Sequence, residues 1–475
     1  MSVDLEKASH DGSHRSGESD HHKPVADAPA PSGPSSFFTD LRVLTTLAIA
    51  YMLQTWDHTA IPFAVEHRAR LFGRSHGESK TYTGIYYLGF ILCVLPIVIL
   101  LPKLGERTTL SCLMLGFGAM TMIQAGTSSW AGLAAVQFFE GAFQAGFWAT
   151  IVPYVAVLYR PAQLGLRLVV IYGLGVALGS FNGPISYTVF NHVSGSPKPW
   201  KELMLIEGGV TLAFAPLLLL LLPRATEASN FTIGSAVKTV FRPTTAIFAV
   251  IALFLGAAAR SCELVIYQML KTLSTDSVEE SLDAVAIYTT GFVILLLIAI
   301  SSDHYRERST HIAVSLLVSL VVLVNLTTVY YIHKRASAYF NAYVISTTAM
   351  VAPLFNAWYV NNIAEPAARL AAIGIVVGSY HVGDLLGWVA FWNTTSTTEA
   401  SSSGGSGGGG SGGHGRKRAE TTTTDDLQGL KIACAYTAVV VIAVFAQGAW
   451  LKRVNRRQST VTKSAAIDAV DRKFD

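Results

Sequence analysis

A chain of 475 residues is long enough for two or three soluble domains of about 150 residues each. Its composition excludes them: 51% of the residues are hydrophobic and 14% are charged, where a soluble domain carries roughly 25% charged residues. The formal net charge of +4 comes without a basic patch interleaved with aromatics, so nothing points to nucleic acid.

The apolar residues gather into runs of about 20, the length that crosses a bilayer. The chain therefore reads as an all-α polytopic membrane protein. Residues 1–40 hold a polar tail, SHRSGESDHHKPVADAPAPSGPSS, whose composition predicts disorder. His21 and His22 in that tail read as solvated side chains, and no secretory leader is expected. Twelve spans follow, at 41–63, 82–102, 108–127, 131–157, 167–190, 202–223, 244–270, 283–302, 311–332, 338–360, 370–392 and 430–451. The longest internal polar break, 224–243, divides them into two six-helix halves, 41–223 and 244–451. The turn LPKLGERTTL in the first half has its counterpart in SSDHYRERSTH in the second, a weak internal repeat of the kind common in transporters.

Orientation follows from the short basic turns. Lys103 to Arg107, Arg160 to Arg167, Arg306 with Arg308, and the tail 452–475 beginning Lys452-Arg453 favour the cytosol. Arg68, Arg70, Arg74, Lys334 and Arg335 stand on the other side. Both termini and the 224–243 loop are expected in the cytosol, with 393–429 outside and Asn393 of Asn-Thr-Thr open to glycosylation. That loop contains SSSGGSGGGGSGGHG at 401–415, a flexible segment that tethers the last span loosely. Cys93, Cys112, Cys262 and Cys434 all fall in apolar spans with no close pair, and are expected to be buried thiols. No cofactor and no metal site is expected.

The stretch from Gln137 to Gly208 carries the first functional signal. Gln137, Glu140 (or Gly141) and Gln144 recur at helical spacing inside an apolar run, and a polar stripe there must face protein or a water-filled cavity. Ionisable groups deep in other spans are candidates on the same ground. Asp57 in the first span reads as a proton carrier, a gating contact or a structural hydrogen-bonding group, and His58 beside it, a residue type suited to proton exchange, reads as a proton exchanger or as a satisfied buried histidine. Arg260 and Glu263 stand at i, i+3 in the seventh span, either as a structural ion pair or as an anion site that Glu263 holds between turnovers. His381 and Asp384 share the i, i+3 spacing in the glycine-containing SYHVGDLLGW of the eleventh, as a proton relay or a structural pair. Gly173, Gly175 and Gly179 mark a small-residue packing face. Trp56, Tyr86, Tyr87, Trp148, Tyr154 and Trp358 are candidates to stack on a flat solute or to anchor the helices.

Several stretches together resemble the major facilitator superfamily, and within it the fungal anion:cation symporters that include allantoate permease and the vitamin and nicotinate permeases. They are AYMLQTWDHTAIPFA, EGAFQAGFWATIVPYVAVLYRPAQLGLR, WKELMLIEGG and WYVNNIAEPAARLAA, and the likeness runs over nearly all of 40–455. It implies the major facilitator fold and a monomeric carrier in the plasma membrane. It implies uptake of a small organic carboxylate, such as a ureide or vitamin-like acid, with protons by alternating access. It also implies that Asp303, Arg306 and Arg308 belong to the cytoplasmic gating motif and that Glu207, in the Glu-Gly signature, is a structural or gating contact. The chain departs from the family at three places: Gln137 stands where Arg is usual, Gln144 where Glu is usual, and His58 where Lys is usual. Arg260 then remains as the deep arginine able to take a carboxylate. Substrate contact is accordingly expected from Gln137, Glu140, Gln144, Arg260 and Glu263, and proton coupling from Asp57, His58, His381 and Asp384. Efflux of a metabolite or toxin, or a non-transporting nutrient sensor, stay open as alternatives. The spans contain no His-Glu-x-x-His, Gly-x-Ser-x-Gly or paired-Asp motif and no ATP-binding loop, so an enzyme is not expected.

Overall fold

In a computed structural model, the described residues are 37–71, 76–192, 199–224, 238–239, 242–274, 277–329, 335–363, 365–403 and 428–455. They are helical almost throughout, and those up to Val454 belong to one compact unit. The helices are α1 (Phe37–Leu71), α2 (His76–Leu104), α3 (Glu106–Gly126), α4 (Trp130–Leu158), α5 (Leu164–Gly179), α6 (Asn182–His192) and α7 (Pro199–Leu221). After these come α8 (Pro243–Leu273), α9 (Ser277–Tyr305), α10 (Arg308–Val329), α11 (Arg335–Met350), α12 (Ala352–Asn361), α13 (Pro366–Ser403) and α14 (Gln428–Asn455). The polar tail with His21 and His22, the 401–415 segment beyond Ser403 and nearly all of the 224–243 loop lie outside the described residues. So do the side chains of His58 and Asn393.

Local chemistry sets the helix limits. Ser129 caps α4 by accepting from the Gly132 amide at 3.2 Å. Pro243 opens α8 at its first turn, where a missing N–H costs nothing. Gly105 takes φ 78° between α2 and α3, a conformation open to glycine without strain.

Within the described residues all twelve expected spans coincide with helix, but two are not continuous. The fifth breaks at Ser180–Phe181 into α5 and α6, and the tenth breaks at Val351 into α11 and α12. Pro184 and Pro353 follow these breaks, and each removes an N–H that an unbroken helix would need. Among the described residues, ten helical segments are long and apolar enough to cross a membrane on their own. The cysteines need a correction. All four are free, but only Cys262 is buried, and Cys112 is exposed. An apolar span has a lipid-facing side, and Cys112 stands on it, as Leu115 on the same helix does.

Two tight crossings position the site. A Cβ at Gly383 would lie 1.7 Å from the Leu253 carbonyl oxygen, and one at Gly256 would lie 1.9 Å from that of Tyr380. The backbones of α8 and α13 therefore meet where no side chain fits. In the same way Gly89 and Gly141 let α2 and α4 meet at the Phe138 and Tyr86 carbonyls. Cross-pairings of α5 with α9 and α2 with α13 bring these two pairs side by side. The α5 glycines pack as the sequence predicts, Gly173 on Phe292, Gly175 on Tyr51 and Gly179 on Thr55. Gly383→Ala is expected to push α13 off α8 and remove most of the monodisperse protein from detergent extracts, as read by size-exclusion chromatography. Gly84→Ala, where a Cβ meets nothing within 4 Å, is expected to extract as wild type.

Candidate functional site

The two crossings and the α5/α9 pair enclose a cavity of about 170 Å³. Aromatic side chains dominate its wall. Tyr51, Trp148 and Tyr172 form one cluster, with ring centroids 4.9–5.2 Å apart. Tyr86, Tyr87 and Phe90 supply a second face from α2, and Gln54, Gln144 and Asn356 add neutral polar groups.

The charged centre of the cavity is Arg260. One turn beyond the Gly256 crossing, its Nε and Nη2 donate to Asp384 Oδ1 at 2.5 Å and Oδ2 at 3.2 Å. Nη1 reaches Glu263 Oε2 at 2.9 Å, the i, i+3 pair expected from sequence. Nη2 also donates to the Tyr87 hydroxyl at 2.7 Å, and that hydroxyl donates to Asp384 Oδ2 at 2.7 Å. The carboxylates differ in access: the side chain of Asp384 is 10% exposed and that of Glu263 is 43%. His381 Nδ1 lies 3.5 Å from Asp384 Oδ2, and its ring rests 3.9 Å from the Phe90 ring. One guanidinium thus faces two carboxylates.

A hydrogen-bonded path leads from the wall into the packing between helices. The Tyr86 hydroxyl donates to Gln144 Oε1 at 2.8 Å, and Gln144 Nε2 donates to Glu140 Oε1 at 3.4 Å. Gln124 Nε2 donates to Glu140 Oε2, and the Tyr82 hydroxyl donates to Gln124 Oε1 at 3.0 Å. Glu140 is fully buried. Within its electrostatic reach are Asp57 from α1 and Glu207 from α7. Thr121 and Thr211 flank Asp57, and Asn182 flanks Glu207. Both carboxylates are buried, and among the described residues no donor reaches any of their oxygens in close hydrogen-bond geometry. Burying three carboxyl groups together is costly unless their charge is paired or removed by protonation.

A third group ties helices at one end of the bundle. Asp303 Oδ2 accepts from the Leu166 amide at 2.8 Å, and Asp303 Oδ1 pairs with Arg308 at 2.9 Å. Arg308 Nη2 and Asn361 Nδ2 both donate to the Pro161 carbonyl, at 2.6 and 2.9 Å. Arg306 takes no part: it is exposed, with φ 55° at the turn. Nearby, Lys452 approaches Glu307 to 2.9 Å and holds the Glu307 carboxyl below the usual glutamate range. That tie is intact above the ordinary glutamate pKa and is lost as pH falls through the lowered value.

The structure sorts the sequence-predicted residues as follows. Gln144, Arg260, Glu263, His381 and Asp384 line the cavity together. Gln137 and Glu140 share the buried face of α4 with Gln144 but stop short of the wall, and Gln137 Oε1 has no hydrogen-bond partner among the described residues. Asp57 sits with Glu140 rather than with His381 and Asp384. Glu207 joins Asp57. Of the aromatics, Tyr86, Tyr87 and Trp148 reach the cavity. Trp56 Nε1 donates to the Leu178 carbonyl, the Tyr154 hydroxyl donates to that of Pro223, and Trp358 packs on Phe248. Sequence reasoning missed Tyr51, Tyr172, Tyr380, Gln54 and Asn356. Of these, Gln54 carried a signal, because it stands one helical turn before Asp57 and Asp57 had already marked that helix.

The family described as the Major Facilitator Superfamily matches residues 47–390. A relative named MFS-type transporter efuF, from Hormonema carpetanum, is 28% identical over 89% of this chain and 86% of its own length. The high-affinity nicotinic acid transporter of Saccharomyces cerevisiae is 26% identical over 37% of this chain and 33% of its own. Among solved structures, the proton:xylose symporter XylE bound to 6-bromo-6-deoxy-D-glucose superposes with a TM-score of 0.62 at 14% identity, covering 85% of this chain and 95% of that one. This last likeness concerns the fold.

Proposed function

Because the chain belongs to the Major Facilitator Superfamily, and is thereby a membrane transporter of small solutes and not an enzyme, we propose that it takes up a small organic carboxylate together with protons by alternating access. One observation carries this reading: Arg260 stands on the wall of the central cavity with two carboxylates against it. The cavity has a cation to receive a carboxylate, yet it already holds an excess negative charge. A bound anion would deepen that excess in a low-dielectric site. Entry of a proton at Glu263, the most accessible of the acidic groups, removes it. Substrate and proton are then favoured together, which is symport.

The remaining parts fit this cycle. Glu140, joined to the wall through Gln144 and Tyr86, and Asp57 within its electrostatic reach hold protons away from the substrate. The halves 41–223 and 244–451 rock about the cavity. The ties of Asp303 and Arg308 to the Pro161–Leu166 turn form and break at the cytosolic end. The sequence resemblance to fungal anion:cation symporters supports the substrate class, and the relative named as a nicotinic acid transporter agrees with it. Plasma-membrane placement with both termini cytosolic and a monomeric carrier belong to the same reading.

The test is accumulation of labelled ureides, nicotinate and pantothenate, beside neutral analogues and lipophilic toxins, in cells lacking their own permeases. Accumulation of a carboxylate is expected, stimulated at acid external pH and abolished by a protonophore. Neutral analogues alone accumulating, a toxin being depleted from the cells, or no flux of any solute would contradict the reading.

A further inference from the structure

The hydrogen bonds around Arg260 assign different duties to its two edges. The side edge, Nε with Nη2, is held by both oxygens of Asp384, whose side chain is nearly enclosed. The end edge, Nη1 with Nη2, is held by Glu263 through one contact and by the hydroxyl of Tyr87. A carboxylate binds a guanidinium best through two parallel N–H···O bonds. A bidentate partner on the end edge must displace one accessible acid and one neutral hydroxyl. Displacing Asp384 from the side edge would instead break two bonds and strand a buried charge.

We propose that the end edge of Arg260 is the docking edge for the substrate carboxylate, and that the Tyr87 hydroxyl occupies it as a stand-in while the cavity is empty. This rests on the carboxylate reading above and adds to it a specificity-determining residue on α2. The phenol is suited to the part. Its oxygen accepts from Nη2 at 2.7 Å as a carboxylate oxygen would, and its proton goes to Asp384 Oδ2 at 2.7 Å. The ring is fully packed and edge-on to Tyr86, with centroids 5.4 Å apart, so the hydroxyl is held in place without a substrate. It also ties α2 to α8 and α13 in the middle of the bundle. An arriving carboxylate breaks that tie, so occupancy is reported to the helix that faces α4. A neutral solute of the same shape gains no bidentate bond to offset the lost hydroxyl, and the edge rejects it.

Tyr87→Phe keeps the ring and removes the competitor. Uptake kinetics in cells, with nicotinate, a ureide and pantothenate each used as probe, are expected to show KM about three- to tenfold lower than wild type, the worth of one displaced hydrogen bond. The maximal rate is not expected to rise. A role confined to packing would leave KM where it was, and a hydroxyl that contacts the substrate would raise KM on removal; either result overturns the proposal. Wild-type cells that accumulate none of these carboxylates overturn the carboxylate reading and this proposal together. Wild-type accumulation with an unchanged or raised KM in Tyr87→Phe overturns this proposal alone.

Discussion

Arg260→Gln is expected to abolish carboxylate uptake, with a loss of at least about 100-fold in kcat/KM, because a charge-assisted bidentate contact is worth several kcal/mol in a dry site. The same substitution leaves Asp384 and Glu263 without their cation, and breaking a buried pair from one side costs about 3–5 kcal/mol of stability. Lost uptake alone could therefore report a misfolded protein. The double variant Arg260→Gln/Asp384→Asn separates the two effects. It removes a positive and a negative charge together, and the amide side chains can bond to each other and to Tyr87. Its apparent Tm in detergent is expected to return most of the way to wild type while uptake stays absent. Recovered uptake in the double variant would mean that Arg260 serves only to neutralise Asp384.

The second large effect is expected at Glu140. Its two oxygens are held by Gln124 and Gln144, and it sits with Asp57 and Glu207 at a distance from the wall. Glu140→Gln keeps the shape and removes the titratable group. Exchange of labelled for unlabelled substrate across the membrane needs no net proton movement, and is expected to continue within about threefold of the wild-type rate. Accumulation against a gradient does need it, and is expected to fall to equilibration. Asp57→Asn, beside Thr121 and Thr211, is expected to give the same split. Concentrative uptake that persists in both variants would remove this cluster from proton coupling and leave Glu263 as the single proton-bearing group.

The helices were legible because each span is a run of about 20 apolar residues and the bilayer imposes that length. Their interruptions at Ser180 and Val351 were not, since a proline inside an apolar run permits either a kink or a break, and the neighbouring helices decide. The pair Arg260–Glu263 could be read from its spacing because both residues lie on one helix. Arg260 with Asp384 could not, because those residues come from helices 124 positions apart and meet only where Gly256 and Gly383 let the backbones touch. The polar stripe of α4 was correctly placed on one face, yet that face is sealed by α2 against Gly141, so only Gln144 reaches the cavity. Glu207 shows the limit of a motif. Its Glu-Gly signature suggested a structural or gating contact but not the partner, and Asp57 lies within its electrostatic reach. Tyr87 was legible as an aromatic candidate for stacking or anchoring, but not as a hydroxyl partner of Arg260, because the two residues lie on helices far apart in sequence. Its part appears only once the donors of Arg260 are assigned one by one.

Carboxylate and proton are expected to move together through the cavity centred on Arg260. Purified protein in liposomes tests this most directly, with internal pH read by a trapped dye while nicotinate, a ureide and pantothenate are added outside in turn, with no imposed pH gradient. The expected result is acidification of the lumen that needs one of these carboxylates, saturates with its concentration and is absent in Arg260→Gln. Uptake of labelled carboxylate with no accompanying pH change, or acidification that survives Arg260→Gln, would contradict it.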